Sequence, residues 1–308
     1  MKFVKPNFFI IGAPKCGTTA LYHYLSDHPE ICFSKAKEPC HFCKDLSGIC
    51  DTLSDKEYLL REFRHCDTNT PAIGEASVWY LFSDVAISNI YEFNPEAKLI
   101  IMLRDPVSMV QSLHSQAVFS LDEDVKDFST AWQLQEQRSK GLNIPKTCRN
   151  PKILQYKKIA SYSEQLQRVL SYYPAEQIKV IIFEDFVQNT QLTYNETLEF
   201  IGVSKTSRLT FSKINENKKY KYKYLAKLVY RHPAWSYKLT ELLRNKLGIQ
   251  RLGIQKYILD NISNYINSEN IKRPKLPEYI INMLRKEFSD DISLTEKVLK
   301  IDLSRWKK

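Results

Sequence analysis

The stretch "NFFIIGAPKCGTTALYHYL", residues 7–25, constrains the fold more than any other part of this 308-residue chain. Its apolar run, residues 8–11, is typical of a strand buried on both faces of a sheet. A turn containing Gly12 and Gly17 follows, and a helical pattern begins at Thr18. A strand, a glycine turn and a helix in this order bring the N–H groups of the helix start together, which suits a phosphate. The alternative is a tight turn that binds nothing.

Short apolar runs and helical patterns alternate over the first two hundred residues. Strands that alternate with helices are typical of an α/β fold with a mainly parallel sheet. Helical patterns occupy 18–26 and the stretches after Pro106 and Gln155. We therefore predict a P-loop-like three-layer α/β sandwich with a central, mainly parallel sheet. The predicted strands are 8–11, 31–33, 72–74, 98–103 and 178–183.

The remainder of the chain has no repeat, low-complexity tract or Gly/Ser linker that would mark a domain boundary. We predict one domain over 1–308, with 205–308 as a mostly helical and basic extension. An amphipathic pattern at 279–299 predicts one or two helices there, and we expect Trp306 to anchor the C-terminus. The polar segment 121–151 predicts a long excursion that forms a lid over a site.

The chain carries 45 Lys and Arg against 35 Asp and Glu, a net charge of +10. This charge is either a solvated surface or a cleft that attracts an anionic substrate. The basic residues are spread out rather than clustered, which disfavours nucleic acid as a partner. No apolar run approaches the roughly 20 residues that cross a bilayer, and the N-terminus lacks a signal-peptide pattern. We expect a cytoplasmic protein with no membrane partner, bacterial from its Lys, Ile and Asn content, and we leave the oligomeric state open.

The seven cysteines are an odd number, which argues against a disulfide framework, so we expect free thiols. A zinc site is the alternative, because a Cys-x-x-Cys pair stands close to three further candidate ligands. Structural zinc sites usually show two tight ligand pairs, and the second pair here is irregular. We therefore expect no metal. The candidate ligands are Cys40, Cys43, Cys50, His65 and Cys66.

The lysine of the glycine turn stands in an unusual position for a nucleotide loop. A Walker A loop places its lysine directly after the second glycine and uses the next hydroxyl to bind magnesium. Here Gly12 and Gly17 have the Walker spacing, but Thr18 occupies the lysine position and Lys15 lies inside the turn. A clear Walker B aspartate is also missing. A P-loop kinase or NTPase is therefore the weaker alternative.

The stretch "KLIIMLRDPVSMVQSLHS" supplies a second candidate anion site. A predicted strand ends in Arg104, and Pro106 begins a helix. Arginine at the carboxyl end of a strand is well placed to bind a phosphate in an open α/β sheet. Ser112 lies eight residues later, about two helical turns, and could face the same anion. The alternative is a surface pair of Arg104 with Asp105 and a solvated Ser112.

The segments "PKCGTT" and "RDPVSMVQS" together resemble the sulfotransferases that use 3′-phosphoadenosine 5′-phosphosulfate (PAPS) and release 3′-phosphoadenosine 5′-phosphate (PAP). The resemblance continues through "KEPCHF", "GEASVWYL", "IIFEDF" and "DLSRW", and it is to the bacterial and heparan-sulfate-type branch. It implies that Arg104 and Ser112 bind the 3′-phosphate. It also implies that the glycine turn binds the 5′-phosphosulfate through Lys15, Cys16, Gly17, Thr18 and Thr19.

The same resemblance implies the catalytic residues. Lys15 would stabilise the oxygen that bridges phosphate and sulfate, and Glu38 of "KEPCHF" would remove the acceptor proton. His41 is a rival base, because it stands where the family usually has an aromatic residue. Glu75 and Ser77 of "GEASVWYL" are expected to line the acceptor pocket, although related enzymes often carry lysine at the position between them.

Alternatives remain for several of these residues. Glu38 is otherwise a surface carboxylate paired with Lys35 or Lys37, and both lysines are weaker candidates for contacts on the 5′ side. The basic run at 215–223 either closes over the nucleotide or is a solvated loop. The resemblance implies metal-free, in-line sulfuryl transfer to a hydroxyl, or less favourably an amine, of a carbohydrate or small natural product. A non-catalytic nucleotide or polyanion binder is the alternative from another class.

Overall fold

The main element of the fold is one sheet of five parallel strands in the order β2-β3-β1-β4-β5. The computed structural model describes residues 4–50, 53–206, 210–211, 218–220, 268–270 and 275–308. Helices flank the sheet, which confirms the predicted α/β sandwich. The strands are β1 (Phe8–Gly12), β2 (Ile31–Phe33), β3 (Ala72–Ala76), β4 (Lys98–Leu103) and β5 (Ile178–Ile182).

The helices of the described ranges are numbered in chain order. The first four are α1 (Thr18–Ser26), α2 (Asp55–Phe63), α3 (Ala86–Phe93) and α4 (Pro106–Phe119). The next four are α5 (Phe128–Gln133), α6 (Gln135–Ser139), α7 (Tyr156–Ala160) and α8 (Tyr162–Tyr172). The last three are α9 (Phe183–Gln188), α10 (Thr190–Ile201) and α11 (Glu278–Leu299). Short 3₁₀ helices cover Pro151–Leu154, Ala175–Gln177 and Ser304–Trp306.

The strand order places the site. The chain runs from β1 to β2 and β3 on one side, and then crosses to β4 and β5 on the other side. Every residue of β1 and β3 is buried, and Glu75 of β3 is the one ionisable side chain in these two strands. The apolar run of β1 is typical of a strand that is covered on both faces. In open parallel sheets, ligands bind beyond the carboxyl ends of the strands where the order reverses, and here that point is the end of β1.

The helical pattern after Gln155 forms two helices instead of the single predicted one. Ser161 has an extended backbone between α7 and α8. The Asp291 carboxylate of α11 accepts hydrogen bonds from the N–H groups of Tyr162 (2.7 Å) and Ser163 (3.1 Å). These bonds satisfy the start of α8 and separate it from α7. The capping carboxylate lies about 130 residues away, so no local pattern could have predicted the break.

The C-terminal region confirms two predictions. The amphipathic pattern at 279–299 forms the single helix α11, and Trp306 is buried at 1% exposure. The predicted extension at 205–308 also contains two short antiparallel strands, β6 (Lys218–Tyr220) and β7 (Ser268–Asn270). No helix within the described ranges is long and apolar enough to cross a membrane. The single-domain organisation stays a prediction.

The segment 121–151 contains helices α5 and α6 and is tied to the core by charged groups. Glu123 and Arg138 form a fully buried bidentate ion pair with N–O distances of 2.5 and 2.7 Å. The Tyr156 hydroxyl donates to the same carboxylate, and Arg149 pairs with Asp122 at 2.6 Å. Since removing one partner would leave a buried charge unpaired, these pairs hold the segment in one arrangement. Its role as a lid stays a prediction.

The expectation of free thiols is wrong for one pair of cysteines. Cys32 of β2 and Cys66, just beyond α2, form a disulfide with a Cα–Cα distance of 5.9 Å. The two residues are 34 positions apart, so only the packing of α2 beside β2 brings their sulfur atoms together. The remaining cysteines within the described ranges are thiols.

The positions of the candidate zinc ligands do not support the alternative of a zinc site. His65 lies beside the disulfide, where its Nε2 is 3.7 Å from the Cys66 sulfur. Cys40, Cys43 and Cys50 form a separate group, in which hydrogen bonds with the other two thiols and burial raise the pKa of Cys43 far above its ordinary value. The candidate ligands therefore belong to two groups and do not form one four-ligand site.

Candidate active site

The carboxyl edge of the sheet brings together the segments that follow four neighbouring strands. The glycine turn follows β1, the "KEPCHF" segment follows β2, "GEASVWYL" spans the end of β3, and Arg104 follows β4. This edge gathers the predicted loop, arginine and carboxylate residues from separate parts of the chain.

The glycine turn needs both of its glycines. Gly17 caps α1 at a φ of 91°, and a Cβ there would lie 2.8 Å from the Phe183 ring. Gly12 has a φ of 139°, and a Cβ there would lie 2.6 Å from the Val78 carbonyl oxygen. The first N–H groups of a helix lack intrahelical partners, and Gly17 has no side chain to satisfy them. An anion at this turn would supply the missing acceptors.

Lys15 lies on the α4 side of the turn. Its backbone has a φ of 63°, and its Nζ donates to Gln116 Oε1 at 3.2 Å. Gln116 was not predicted from the sequence, although it follows Ser112 by four residues and therefore lies on the same face of α4. That spacing was the available signal. Thr18 is buried in the first turn of α1, and Thr19 is partly exposed beside it.

Arg104 contacts the base of the glycine turn. Its Nη1 donates to the Lys15 carbonyl oxygen at 3.4 Å, and its guanidinium lies 4.5 Å from the centre of the Phe183 ring. Its Nε is buried without a hydrogen-bond partner in the part of the chain that the structure describes. A buried guanidinium nitrogen without an acceptor is costly, so the arrangement fits a bound anion such as a phosphate.

The alternative pairing of Arg104 with Asp105 is wrong. Asp105 caps α4 by accepting the N–H groups of Val107 and Ser108, and it pairs with Arg285 at 2.6 Å. Ser112 is 3% exposed in the second turn of α4, so it is not the solvated serine of that alternative. The guanidinium and the buried hydroxyl therefore both remain candidates for an anion.

Cys16, expected among the nucleotide contacts, has its side chain in the core. Its sulfur lies 3.9 Å from the Tyr162 hydroxyl, and burial raises the pKa of Cys16 to about 12. The Tyr162 hydroxyl also donates to the Arg104 carbonyl oxygen at 3.0 Å. Tyr162 thus links the glycine turn to the end of β4, a role that its helical sequence pattern did not reveal.

Two distant sequence segments support this end of the sheet. Glu184, in "IIFEDF", accepts the Asp105 N–H at 3.2 Å and the Trp306 Nε1–H at 3.3 Å. Arg305, in "DLSRW", makes a bidentate pair with Asp185 at 2.5 and 2.7 Å. The buried C-terminal tryptophan is therefore connected by one carboxylate to the residue that follows Arg104.

Glu38 lies on the β3 side of β1, in a turn with an unusual backbone. We call residues 38–42 the Glu38 turn. Glu38 and Cys40 both have positive φ values, 63° and 55°. The Glu38 N–H donates to the Ala76 carbonyl oxygen at 2.9 Å, which ties the turn to the end of β3. Its side chain is 33% exposed and contacts Lys37 Nζ at 2.5 Å. The alternative ion pair with Lys37 is therefore present, but the carboxylate still reaches solvent.

His41 is in a different environment from Glu38. Its side chain is fully buried, its ring stacks on Tyr58 with centroids 4.2 Å apart, and its Nε2 lies 3.0 Å from Asp55 Oδ1. A ring that is packed and bonded in this way has no access to an acceptor in the cleft. The geometry favours Glu38 over His41 as the base.

Glu75 and Ser77, which we expected to line an acceptor pocket, have no solvent exposure. Ser77 Oγ donates to Glu75 Oε1 at 2.6 Å, and the hydroxyls of Tyr58 and Tyr80 donate to Oε2 at 2.6 and 2.9 Å. Burial raises the pKa of Glu75 to about 7, against the lowering effect of these hydrogen bonds. The structure places both residues beneath the Glu38 turn.

The basic run at 215–223 lies mostly outside the described residues, which include only the backbone of β6 from it. Lys35 lies before the Glu38 turn, and its N–H donates to the Glu62 carbonyl oxygen at 2.9 Å. The contacts that we predicted for Lys35 and Lys37 on the 5′ side stay predictions.

Comparisons with known proteins agree with the geometry. The family model described as "Sulfotransferase domain" matches residues 5–240. Carbohydrate sulfotransferase 15 of Mus musculus is 29% identical over 253 residues, which cover 66% of this chain and 44% of that protein. The membrane-associated sulfotransferase kil1 of Dictyostelium discoideum is 35% identical over 105 residues, covering 33% of this chain and 21% of that protein. The chain thus spans less than half the length of these curated relatives.

A solved structure supports the fold over almost the whole chain. The sulfotransferase from Alicyclobacillus acidocaldarius superposes with a TM-score of 0.71 and 24% sequence identity. The match covers 99% of this chain and 100% of that one.

Proposed function

The chain belongs to the sulfotransferase family, and on that premise we propose that it transfers a sulfuryl group from PAPS to a hydroxyl group of a carbohydrate. The observation that carries the proposal is Arg104, whose buried Nε has no acceptor within the described ranges. This guanidinium lies beside a glycine turn that itself suits a phosphate. Two anion sites at one sheet edge match a nucleotide with phosphates at both its 5′ and 3′ positions.

The residues present fit this donor. The N–H groups after Gly17, with the hydroxyls of Thr18 and Thr19, would bind the 5′-phosphosulfate. Arg104 and Ser112 would bind the 3′-phosphate, which AMP and ATP lack. PAPS supplies the activated sulfuryl group when it is bound. The protein supplies alignment, positive charge and a base.

Lys15 is the proposed electrostatic catalyst. Negative charge develops on the oxygen that bridges phosphate and sulfate as that bond breaks, and a cation held beside it lowers the barrier. Lys15 lies inside the turn, and Gln116 holds its ammonium group at 3.2 Å. The position inside the turn, instead of after the second glycine, directs the charge to a different oxygen from the one that a Walker lysine contacts.

Glu38 is the proposed general base. It would accept the proton of the acceptor hydroxyl as that oxygen attacks sulfur. Glu38 combines a partly exposed carboxylate with a backbone tied to the end of β3, next to β1. The buried alternative, His41, lacks this access.

The acceptor class follows from the relatives and from the charge. The relatives include proteins named as carbohydrate sulfotransferase 15 and heparan sulfate glucosamine 3-O-sulfotransferase 5. The net charge of +10 would attract an acidic glycan. A carbohydrate hydroxyl is therefore favoured over an amine or a small natural product. We propose that Lys15 and Arg104 provide the positive charge without a metal; the cytoplasmic location and bacterial source stay predictions from the sequence.

Calorimetric titration tests the donor. We expect PAP to bind at least about a hundredfold more tightly than AMP, with or without magnesium, and Arg104→Ala to remove that preference. Lys140→Ala, at an exposed lysine paired with Glu136, is the control and should leave it unchanged. Equal affinity for PAP and AMP would exclude the 3′-phosphate site. Magnesium-dependent preference for ATP would favour a kinase or NTPase.

Labelled PAPS then tests the transfer. We expect label to pass to one or more members of a panel of desulfated and partly sulfated glycans, and Glu38→Gln to suppress it. Tight PAP binding with no transfer to any glycan, amine or small hydroxyl compound would favour a non-catalytic binder.

A further inference from the structure

The buried carboxylate of Glu75 is held by three hydroxyl groups from two parts of the chain. Tyr58 belongs to α2, while Ser77 and Tyr80 follow β3, and each donates to a carboxylate oxygen at 2.6 to 2.9 Å. A carboxylate removed from water is costly unless its oxygens accept hydrogen bonds. The cluster is therefore a complete polar network in the core.

Two of these hydroxyls also bond the Glu38 turn. Ser77 Oγ accepts the Cys40 N–H at 3.0 Å, and the Tyr80 hydroxyl accepts the Phe42 N–H at 3.4 Å. A hydroxyl has one proton and two lone pairs, so donating to Glu75 leaves it free to accept from the backbone. An ionised carboxylate can only accept. Glu75 therefore sets the direction of both hydroxyls toward the turn.

The turn has a backbone that needs such support. Glu38 and Cys40 both occupy the left-handed region, with φ values of 63° and 55°. That region costs a non-glycine residue on the order of 1–3 kcal/mol, and it persists only where the surroundings impose it. The hydrogen bond from the Glu38 N–H to the Ala76 carbonyl oxygen fixes the first residue of the turn. The hydrogen bond from the Cys40 N–H to Ser77 Oγ fixes the third residue.

We propose that Glu75 is a positioning residue for sulfuryl transfer, which acts through Ser77 and Tyr80 to hold the Glu38 turn and so to aim the base at the acceptor. This inference rests on the proposed function, because it takes Glu38 as the base. It replaces the expectation that Glu75 and Ser77 contact the acceptor, since neither has any solvent exposure.

Ser77→Ala is the test variant, and Ser83→Ala is its matched control. Ser83 is also fully buried, donates to the Asp45 carboxylate and accepts a backbone N–H, from Ala86, at 3.1 Å. The two changes delete the same kind of hydrogen-bonded hydroxyl, but only Ser77 bonds the Glu38 turn. All assays are run at pH 8, above the pKa of Glu75 of about 7.

We expect Ser77→Ala to lower kcat by about ten- to a hundredfold, because small misplacements of a reacting group have effects of that order. The affinity for PAP should stay within about twofold, since the nucleotide residues lie on the other side of β1. Ser83→Ala should lower the melting temperature similarly and leave kcat within about threefold. Equal loss of kcat in both variants, or a loss of PAP affinity with Ser77→Ala, would overturn the inference.

A double variant separates positioning from general loss of structure. In the Glu38→Gln background, adding Ser77→Ala should cause no further fall in kcat, because both changes remove the contribution of the same carboxylate. If Ser77→Ala lowered kcat by the same factor in the Glu38→Gln background as in the wild type, Ser77 would not act through Glu38.

Hydrogen exchange of the backbone N–H groups of Glu38 and of residues 40–42 gives a measurement that needs no turnover. We expect faster exchange in Ser77→Ala and in Glu75→Ala, and unchanged exchange in Ser83→Ala. Unchanged exchange in the first two variants would disprove that the cluster holds the turn. If Glu38→Gln keeps the kcat of the wild type, the base in the proposed function is wrong, and the exchange result still decides whether Glu75 holds the turn.

Discussion

The two sides of β1 satisfy their polar groups in different ways. On the β4 side, no side chain caps the start of α1 at the glycine turn, and Arg104 has a buried guanidinium nitrogen without an acceptor within the described ranges. On the β3 side, every oxygen of the Glu75 carboxylate has a hydroxyl donor, and those hydroxyls support the Glu38 turn. The first region is open to an anion, whereas the second is closed and holds one partly exposed carboxylate, that of Glu38, in place.

This difference shows how one sheet edge divides two tasks. Anion binding needs donors whose partners are absent until the ligand arrives, so that the ligand completes the network. Proton removal needs a single group whose direction is set in advance by its surroundings. Changes to the proposed phosphate-binding groups on the β4 side should therefore alter nucleotide affinity, and changes on the β3 side should alter turnover. Lys15, which is proposed to stabilise the leaving oxygen, is the exception on the β4 side.

Glu38→Gln should produce the largest loss of kcat. A change in nucleotide affinity in this variant would contradict the division of tasks between the two sides of β1. Removing a general base should lower kcat by about 10²–10⁴-fold, while the amide keeps the size of the side chain. We expect PAP affinity within about twofold of the wild type by calorimetry. Lys37→Met, which removes the charge 2.5 Å from the Glu38 carboxylate, is the control and should cost less than a tenth of that factor.

Lys15→Ala should come next and should act on the chemical step more than on binding. Loss of one charge that stabilises the leaving oxygen costs about 10²–10³-fold in kcat. PAP lacks the sulfate, so its affinity should fall by less than about tenfold. Gln116→Ala, which removes the side chain that Lys15 contacts, should show a smaller loss in the same direction. A PAP affinity that fell as far as kcat would instead make Lys15 a binding residue.

Glu75→Gln should change the pH dependence of stability. Glu75 has a pKa of about 7 in the folded protein against an ordinary value of 4.5, so the folded state binds more protons between these pH values. Its stabilising contribution is complete below about pH 4.5 and is lost as the pH rises through about 7, a difference of roughly 3 kcal/mol. The ionisable groups facing it are Tyr58, Tyr80 and His41.

Urea unfolding at pH 5 and pH 8 measures this effect. Between these conditions the wild type should lose on the order of 3 kcal/mol relative to Glu75→Gln, whose amide does not titrate. Parallel curves for the two proteins would show that Glu75 is ionised throughout and would contradict the raised pKa.

Gly17→Ala should change the free energy of unfolding by less than the Glu75 effect and should clearly weaken nucleotide binding. A Cβ at Gly17 would lie 2.8 Å from the Phe183 ring, in addition to the cost of a φ of 91°. We expect about 2 kcal/mol of destabilisation and at least tenfold weaker PAP binding. Gly141→Ala is the control, because it has a φ of 82° but no atom within 4 Å of the added Cβ. It should cost about 1 kcal/mol and leave PAP affinity unchanged. Similar PAP affinities in both variants would show that the turn does not bind the nucleotide.

Local patterns in the sequence were enough to predict the strands, and they supplied the two candidate anion sites. Short apolar runs mark β1 to β5, because the strands of a sheet that helices cover on both faces are mostly apolar; the buried Glu75 of β3 is an exception. The glycine turn and the pair Arg104 and Ser112 are readable because each set lies within one strand-to-helix connection. Such connections place their residues through backbone geometry alone.

The partners of these residues were not predictable in the same way. Phe183 lies under Arg104 and against Gly17, yet it is 79 residues from one and 166 from the other in the sequence. The Cys32–Cys66 disulfide joins residues 34 positions apart and overturned the expectation of free thiols. No periodicity relates residues at such separations, so only the packed structure reveals the contacts.

The amino-acid sequence by itself predicted the parallel sheet, the glycine turn that is proposed to bind a phosphate, and the two rival candidates for the base, Glu38 and His41. Each of these depends on hydrophobic period, glycine position or a short motif, which act within a few residues. The tertiary structure alone decided that His41 is buried and that Glu75 lies beneath the Glu38 turn instead of lining a pocket. The physical reason is that burial and hydrogen-bond partners are set by the packing of α2, β2 and β3 against one another, and this packing is not encoded in any one segment.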